Sequence, residues 1–324
     1  MTVWGERAAA ASAALVETYW DEDRDLFRID SASRLSSNLP WHYWWQAHAL
    51  DALVLAGDLD RADRLVGGIL RRNGGITNDY YDDMAWMGLA LHGLACAGGR
   101  ADASRLVAEL LAALRGGIDP VHGALVWRRG DTYLNVPANA PTAILAARTG
   151  DVALARQLTT WLHATLVQPD GVVYDGVHPG APPVTAEWTY NYGTVLGADV
   201  VLGNLDRARR VATTAATRLV RADGVLPDEG SGDGALFKGI FVRYLGGLLT
   251  ARPDEARPDD EARPDEALCE VLVHNATVAW QSRSPDGLIG RDWARPPDGA
   301  VELSAHLSGV LLFHTVSMVL GTWS

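Results

Sequence analysis

Two consecutive aspartates, Asp82 and Asp83, stand in the stretch "NDYYDDMAWMGLALHGL" (78–94), where a polar, aromatic segment runs into an apolar helical pattern. Aspartate suits a helix start in its own right. It caps the backbone, and the macrodipole favours negative charge in the first turn. Two adjacent carboxyl groups can also do chemistry. Glycoside hydrolysis uses a carboxyl pair, and a separation of about 5–5.5 Å accompanies retention of configuration. Neighbouring helical residues have Cβ atoms at about that spacing, although their side chains diverge by about 100° around the axis. The helix N-terminus favours one ionised carboxylate, and its charge raises the pKa of the neighbour. One ionised and one protonated group near neutral pH is what a retaining mechanism requires.

Other polar aromatic clusters could serve the same site. "NLPWHYWWQAHALDAL" offers Trp41, His42, Tyr43, Trp44, Trp45 and His48, and the aspartate stretch adds Asn78, Tyr81 and Trp86. "VWRRGDTYLNVPANAP" carries Trp127, Arg128, Asn135 and Asn139, while "AEWTYNYGT" carries Glu187, Trp188, Tyr190 and Asn191. Lys238, in "GALFKGIFVRY", is the only lysine among 28 basic residues. Aromatic faces stack on the C–H side of a pyranose while amides and carboxylates hold its hydroxyls, so a neutral carbohydrate is the expected partner. Trp44 or Trp45, Trp127 and Tyr190 are expected to border the cleft, with Asn139, Asn191 and Lys238 within reach of hydroxyls. The bland alternatives are core filling for each tryptophan, hydrogen-bonded structural roles for His42 and His48, and solvated Arg128 and Arg129.

Competing chemistries fail at particular residues. A metal-binding DDxxD needs an acid at position 86, where Trp86 stands, and "DEDRDLF" lacks the ligand order of an EF-hand. Two cysteines, Cys96 and Cys269, provide neither a disulfide framework nor a metal pattern, and Cys96 reads as a small buried hydrophobe. No metal or cofactor is expected. The chain has 324 residues, 48% of them hydrophobic and 21% charged, with a net charge of −12 and a pI near 5.1. That acidity argues against nucleic acid or an anionic membrane as partner. No basic leader precedes an apolar core, and no stretch reads as the roughly 18 apolar residues of a membrane span. The expectation is a soluble cytoplasmic protein without membrane insertion; an extracellular location stays open if a signal has been trimmed.

The elements that must position these residues are helices. Apolar runs at helical spacing recur near 5–20, 44–56, 60–72, 83–97, 101–115 and 137–148. They continue near 151–167, 188–202, 205–221, 235–250, 266–281 and 302–320. Short connectors such as "AGDLDRA" (56–62), "RTGDVALA" (148–155) and "LGNLDRA" (202–208) place Gly at a helix end and often Asp at the next start. Longer segments alternate with them, among them "NGGITNDYYD" from 73, "PDGVVYDG" from 169, "ADGVLPDEG" from 222 and "PDGLIGRDW" from 285. A helical hairpin repeating roughly every 50 residues means a ring or a solenoid. The even spacing favours an all-α fold, an (α/α)6 barrel of about six helical hairpins spanning residues 1–324 as one catalytic domain. An open solenoid is the competing arrangement. In the ring every long loop precedes an inner helix, so all of them gather on one face. The segment "ARPDEARPDDEARPDE" (251–266) reads as a flexible charged insertion on the opposite face, because Pro every five residues opposes a regular helix.

The stretches "YWWQAHALDAL", "NDYYDDMAWMGLAL", "VWRR", "TYNYGTVLGA" and "FKGIFVRYL", in this order, closely resemble glycoside hydrolase family 76, the endo-α-1,6-mannanases. The resemblance implies an (α/α)6 barrel, retaining hydrolysis of α-1,6-mannosidic linkages in mannan or mannooligosaccharides, and no metal. It casts Asp82 as nucleophile and Asp83 as acid/base. Two other readings rest on the same barrel. A sugar epimerase would work through His42 or His48, and a catalytically silent barrel would only bind glycan.

Overall fold

The apolar periodicity becomes twelve α-helices among the residues described by the computed structural model, which are 2–33, 41–98, 101–251 and 263–323. In chain order they are α1 (Val3–Tyr19), α2 (Tyr43–Ala56), α3 (Leu59–Asn73), α4 (Tyr81–Gly98), α5 (Ala101–Gly116) and α6 (Val136–Arg148). There follow α7 (Val152–Thr165), α8 (Thr189–Val201), α9 (Leu205–Leu219), α10 (Gly234–Thr250), α11 (Arg263–Ser282) and α12 (Leu303–Trp323). Strand content is confined to two-residue ladders such as Leu134–Asn135 with Gly176–Val177.

The two kinds of helix differ as their patterns require. α3 buries the single stripe Ala62, Leu65, Val66 and Ile69 and leaves its remaining face polar, as an outer helix should. α6 buries every residue from Val136 to Ala146 and so must be enclosed by other helices. The even-numbered helices pack in sequence, α2 on α4, α4 on α6, α6 on α8, α8 on α10, α10 on α12, and α12 back on α2. That last contact closes the ring and excludes the open solenoid. Each enclosed Leu or Val stabilises the fold by roughly 1.5–3 kcal/mol. Close approach between inner helices depends on glycine. A Cβ on Gly193 of α8 would lie 2.6 Å from Phe241 Cα, and one on Gly239 of α10 would lie 2.5 Å from Ser308 Cα.

The short connectors behave as their residues dictate. Gly57 and Gly74 end α2 and α3 with φ of 76° and 77°, and Asp58 and Asp151 cap α3 and α7 through Arg61 N and Leu154 N. In "LGNLDRA", Asn204 makes no cap bond and turns its amide to Asp199 instead. The long segments all lead into inner helices and are knitted together on one face. Tyr80 bridges Arg128, Asp30 bridges Glu302, and Gly232 N donates to Glu302.

Three sequence expectations need correction. Most of the 251–266 segment lies outside the described residues, but 263–266 form the first turn of α11, where a proline is tolerated because early helical N–H groups have no partner. Asp265 there accepts from Arg209 Nε and Nη2 at 2.9 and 3.0 Å. Cys96 is exposed rather than buried, its Sγ beside His92 Nε2 at 3.7 Å, because it falls on the polar side near the end of α4. Finally, α12 is long and apolar enough to cross a membrane, with mean hydropathy 1.6 over Leu303–Thr322. It is 78% buried in the ring, which explains a composition apolar on every side.

Candidate active site

The N-termini of the inner helices and the long loops above them line a cleft of about 830 Å³ that opens to solvent. Pockets for small molecules are usually about 300–1,000 Å³, and this cleft lies in the upper part of that range. Asp82 and Asp83 lie in the first turn of α4 and line the cleft, half-buried. The loop before α6 pins that turn in place. Tyr81 N donates to Trp127 O at 2.9 Å, Arg129 N to Asp79 O at 2.8 Å, and Trp127 N to Tyr133 O at 2.7 Å.

The two carboxyl groups have different partners. Asp82 Oδ2 accepts from Trp127 Nε1 at 3.0 Å, while its Oδ1 is buried with no partner among the described residues. Asp83 Oδ2 accepts from Asn78 Nδ2 at 2.7 Å, and Asn78 is oriented by Tyr80 N at 3.0 Å. Burial pushes Asp82 up to about 6 against the pull of the Trp127 N–H. Burial and then the charge of Asp82 carry Asp83 well above the carboxylate range. Near neutral pH the pair therefore holds a proton, and Asp83 holds it more firmly.

The opposite wall is aromatic. Tyr190 stacks on Phe237 with centroids 3.9 Å apart and planes 8° from parallel, and Trp188 meets the same ring edge-on at 5.7 Å. Asp175 joins this wall, accepting from Tyr133 Oη at 2.6 Å and Asn191 Nδ2 at 2.9 Å. Among the described residues no group of three or more His, Cys, Asp or Glu could hold a metal ion.

This arrangement has relatives of known structure. A family model described as glycosyl hydrolase family 76 matches residues 4–318. The α-1,6-mannanase GH76A of Salegentibacter sp. HEL1_6 is 30% identical, with 98% of this chain and 99% of that one covered and a TM-score of 0.89. An inactive variant of that mannanase, with two consecutive aspartates replaced by asparagine and α-1,6-mannotriose bound, is 29% identical over the same shares, also at 0.89. The Lin0763 protein of Listeria innocua is 26% identical over 98% of this chain and 97% of its own, with a TM-score of 0.86. Among curated proteins none matches.

The chain belongs to glycoside hydrolase family 76.

In this glycosidase the sequence-predicted site residues are sorted by the ring. Asn78, Trp44, Trp86, Trp127 and Tyr190 line the cleft together with the two aspartates. Trp45 is buried behind it, its ring 4.0 Å from that of His42. Asn191 reaches the cleft only through Asp175. Tyr81 points away and packs on Gly117, where a Cβ would lie 2.5 Å from its ring, with Arg129 above it.

Asn139, Lys238 and His48 are corrections. Asn139 is fully buried, and its amide is consumed by Leu125 N at 2.8 Å, Leu125 O at 2.9 Å and Asn135 O at 2.8 Å. Lys238 is also buried; its Nζ donates to Pro227 O at 2.9 Å and to Arg291 O, and lies over the Trp293 ring. Both lie beneath the cleft and do not line it, so neither is presented to a sugar. His48 sits beneath Trp86, ring centroids 4.9 Å apart, and faces an interior cavity with Asp51 and Arg243. Burial pushes it down to about 4, so it is neutral. His42 lines the cleft and His48 does not, so of the two histidines an epimerase could use only His42 faces the cleft.

Sequence reasoning missed Asp175, Asp233, Tyr133 and Phe237, all of which line the cleft. Asp175 had a signal in "VVYDG", an aspartate flanked by aromatic and turn residues, but it reads as loop chemistry until the ring gathers the loops.

Proposed function

We propose that this glycosidase cleaves α-1,6-mannosidic linkages in mannan or mannooligosaccharides with retention of configuration, through a covalent mannosyl-enzyme. The carrying observation is the adjacent Asp82–Asp83 pair, open to a long aromatic cleft and holding its protons unequally. The inactive Salegentibacter variant supports this reading, since its replaced residues are likewise two consecutive aspartates and its ligand is α-1,6-mannotriose.

Asp82, the member that ionises more readily, attacks the anomeric carbon while Asp83 gives its proton to the departing glycosidic oxygen. The bond to the leaving sugar breaks as the bond to Asp82 forms, and the anomeric centre inverts. Trp127 N–H on Asp82 Oδ2 aims the nucleophile, and Asn78 does the same for Asp83. Once Asp83 has lost its proton it acts as a base. It takes a proton from water, whose oxygen attacks the anomeric carbon and displaces Asp82. Two inversions give net retention, and both carboxyl groups return to their starting states. The walls formed by Tyr190, Phe237 and Trp188 provide apolar faces for sugar rings.

Proton NMR of the first minutes of α-1,6-mannotriose hydrolysis tests the mechanism. The expected first product has α configuration. Initial β-mannose would mean direct attack by water, and the pair would then not be the whole catalytic machinery.

A further inference from the structure

Helix α10 starts at an aspartate that does not cap it. Asp233 occupies the N-cap position with φ −62° and ψ −39°, and its carboxylate makes no bond to the helix backbone, forgoing a stabilising interaction usual for Asp there. Instead the indole N–H groups of Trp44 and Trp45 both donate to Asp233 Oδ1, at 3.0 and 2.9 Å, from 189 and 188 residues away. Consecutive helical side chains diverge by about 100°, so two indoles meeting on one oxygen form a clamp that fixes the carboxylate plane.

The remaining acids of the cleft are otherwise engaged. Asp175 has both oxygens occupied by Tyr133 and Asn191, Asp79 pairs with Arg129 at 3.7 Å, and Asp82 and Asp83 are committed to bond making. Asp233 is exposed to the cleft, and its Oδ2 has no hydrogen-bond partner among the described residues. We infer that Asp233 is a substrate-holding carboxylate, its Oδ2 accepting a hydroxyl of a sugar unit bound beside Asp82 and Asp83 while Trp44 and Trp45 hold Oδ1. The inference rests on the glycosidase reading above.

The charge of Asp233 has a second effect that a purely structural residue would lack. His42, Asp79, Tyr80, Tyr133, Asp175 and Tyr190 share the cleft, but Asp233 is the neighbour whose charge raises both Asp82 and Asp83, in addition to their burial. Neutralising it lowers both pKa values, so both limbs of the pH profile move to lower pH.

The test uses Asp233→Asn, which keeps an oxygen for the indoles, with α-1,6-mannotriose and its monodeoxy analogues. With unchanged Tm, KM should rise at least about tenfold, as for loss of a charged hydrogen-bond acceptor, with kcat changed less and both pH limbs displaced downward. One deoxy position that penalises the wild type should cost the variant nothing further. An unchanged KM and pH profile would overturn the inference. Should the variant not fold, Trp44→Phe removes one of the two clamping donors and must shrink the same deoxy penalty; an undiminished penalty counts against the inference. A wild type that never cleaves mannotriose sinks the proposed function alone. Calorimetry then decides on Asp233, because equal mannotriose binding by wild type and Asp233→Asn would overturn its role.

Discussion

Asp82 and Asp83 bind protons more tightly in the folded chain than in the unfolded one, because folding buries them and sets them side by side. Raised folded pKa values stabilise the fold fully below the unfolded pKa near 4, and that contribution is lost as pH rises through about 6 for Asp82. At about pH 7.5 the ionised Asp82 carboxylate is thus a liability on the order of 1–3 kcal/mol. Asp82→Asn should melt at higher temperature than the wild type there, with the gain vanishing near pH 4; an equal gain at both pH values would show that charge is not its cause. Kinetics separate the two roles. Asp83→Ala should lose about 10²–10⁴-fold on mannotriose, lose less on an aryl mannoside whose leaving group needs no proton, and be partly rescued by azide. Asp82→Ala should lose turnover on both substrates. Identical losses for the two variants would contradict the division of labour.

At the scale of elements, buried polar side chains tie the long loops to the inner helices beneath them. Asn139 on α6 holds the 124–125 strand through both backbone groups of Leu125, and Lys238 on α10 joins the loops before α10 and α12 through Pro227 O and Arg291 O. Asn139→Ala leaves the Leu125 N–H and C=O without the partners they had. At about 1–3 kcal/mol for each unsatisfied group, partly relieved by water, a loss of roughly 2–4 kcal/mol is expected. Thermal unfolding measures it as a drop of several degrees. The KM at a temperature where the variant stays folded should remain within about threefold of wild type, since Asn139 touches no ligand surface. A raised KM with unchanged Tm would return Asn139 to the substrate site.

Across the whole molecule, ring closure makes the six inner helices depend on one another. α12 covers faces of α10, α1 and α2, so a chain ending before α11 exposes apolar surface on both sides of the gap. Such a truncation should show no cooperative thermal transition by circular dichroism. An open array would lose only its terminal repeat and keep a transition near that of the full chain. Closure also sets the chemistry, because it brings α2, α4 and α10 within reach around a single cleft.

Local physics made the twelve helices legible. Apolar spacing, Gly at helix ends and Asp at helix starts act over a few residues, and Gly57, Asp58 and Asp151 behave in the structure as their types require. Asp82 and Asp83 were legible for the same reason, since adjacency in sequence and position at a helix start need no distant partner. Asp233 was not, because its role depends on indoles 188 and 189 residues away that arrive only when the ring closes. Asn139 and Lys238 misled in the opposite sense. An amide or ammonium of the right type near the right loop is used by sugar or by backbone according to which unpaired groups the tertiary fold leaves beside it. For both, those groups include loop backbone carbonyls, and bonding them holds the amide and the ammonium inside the fold, away from the cleft.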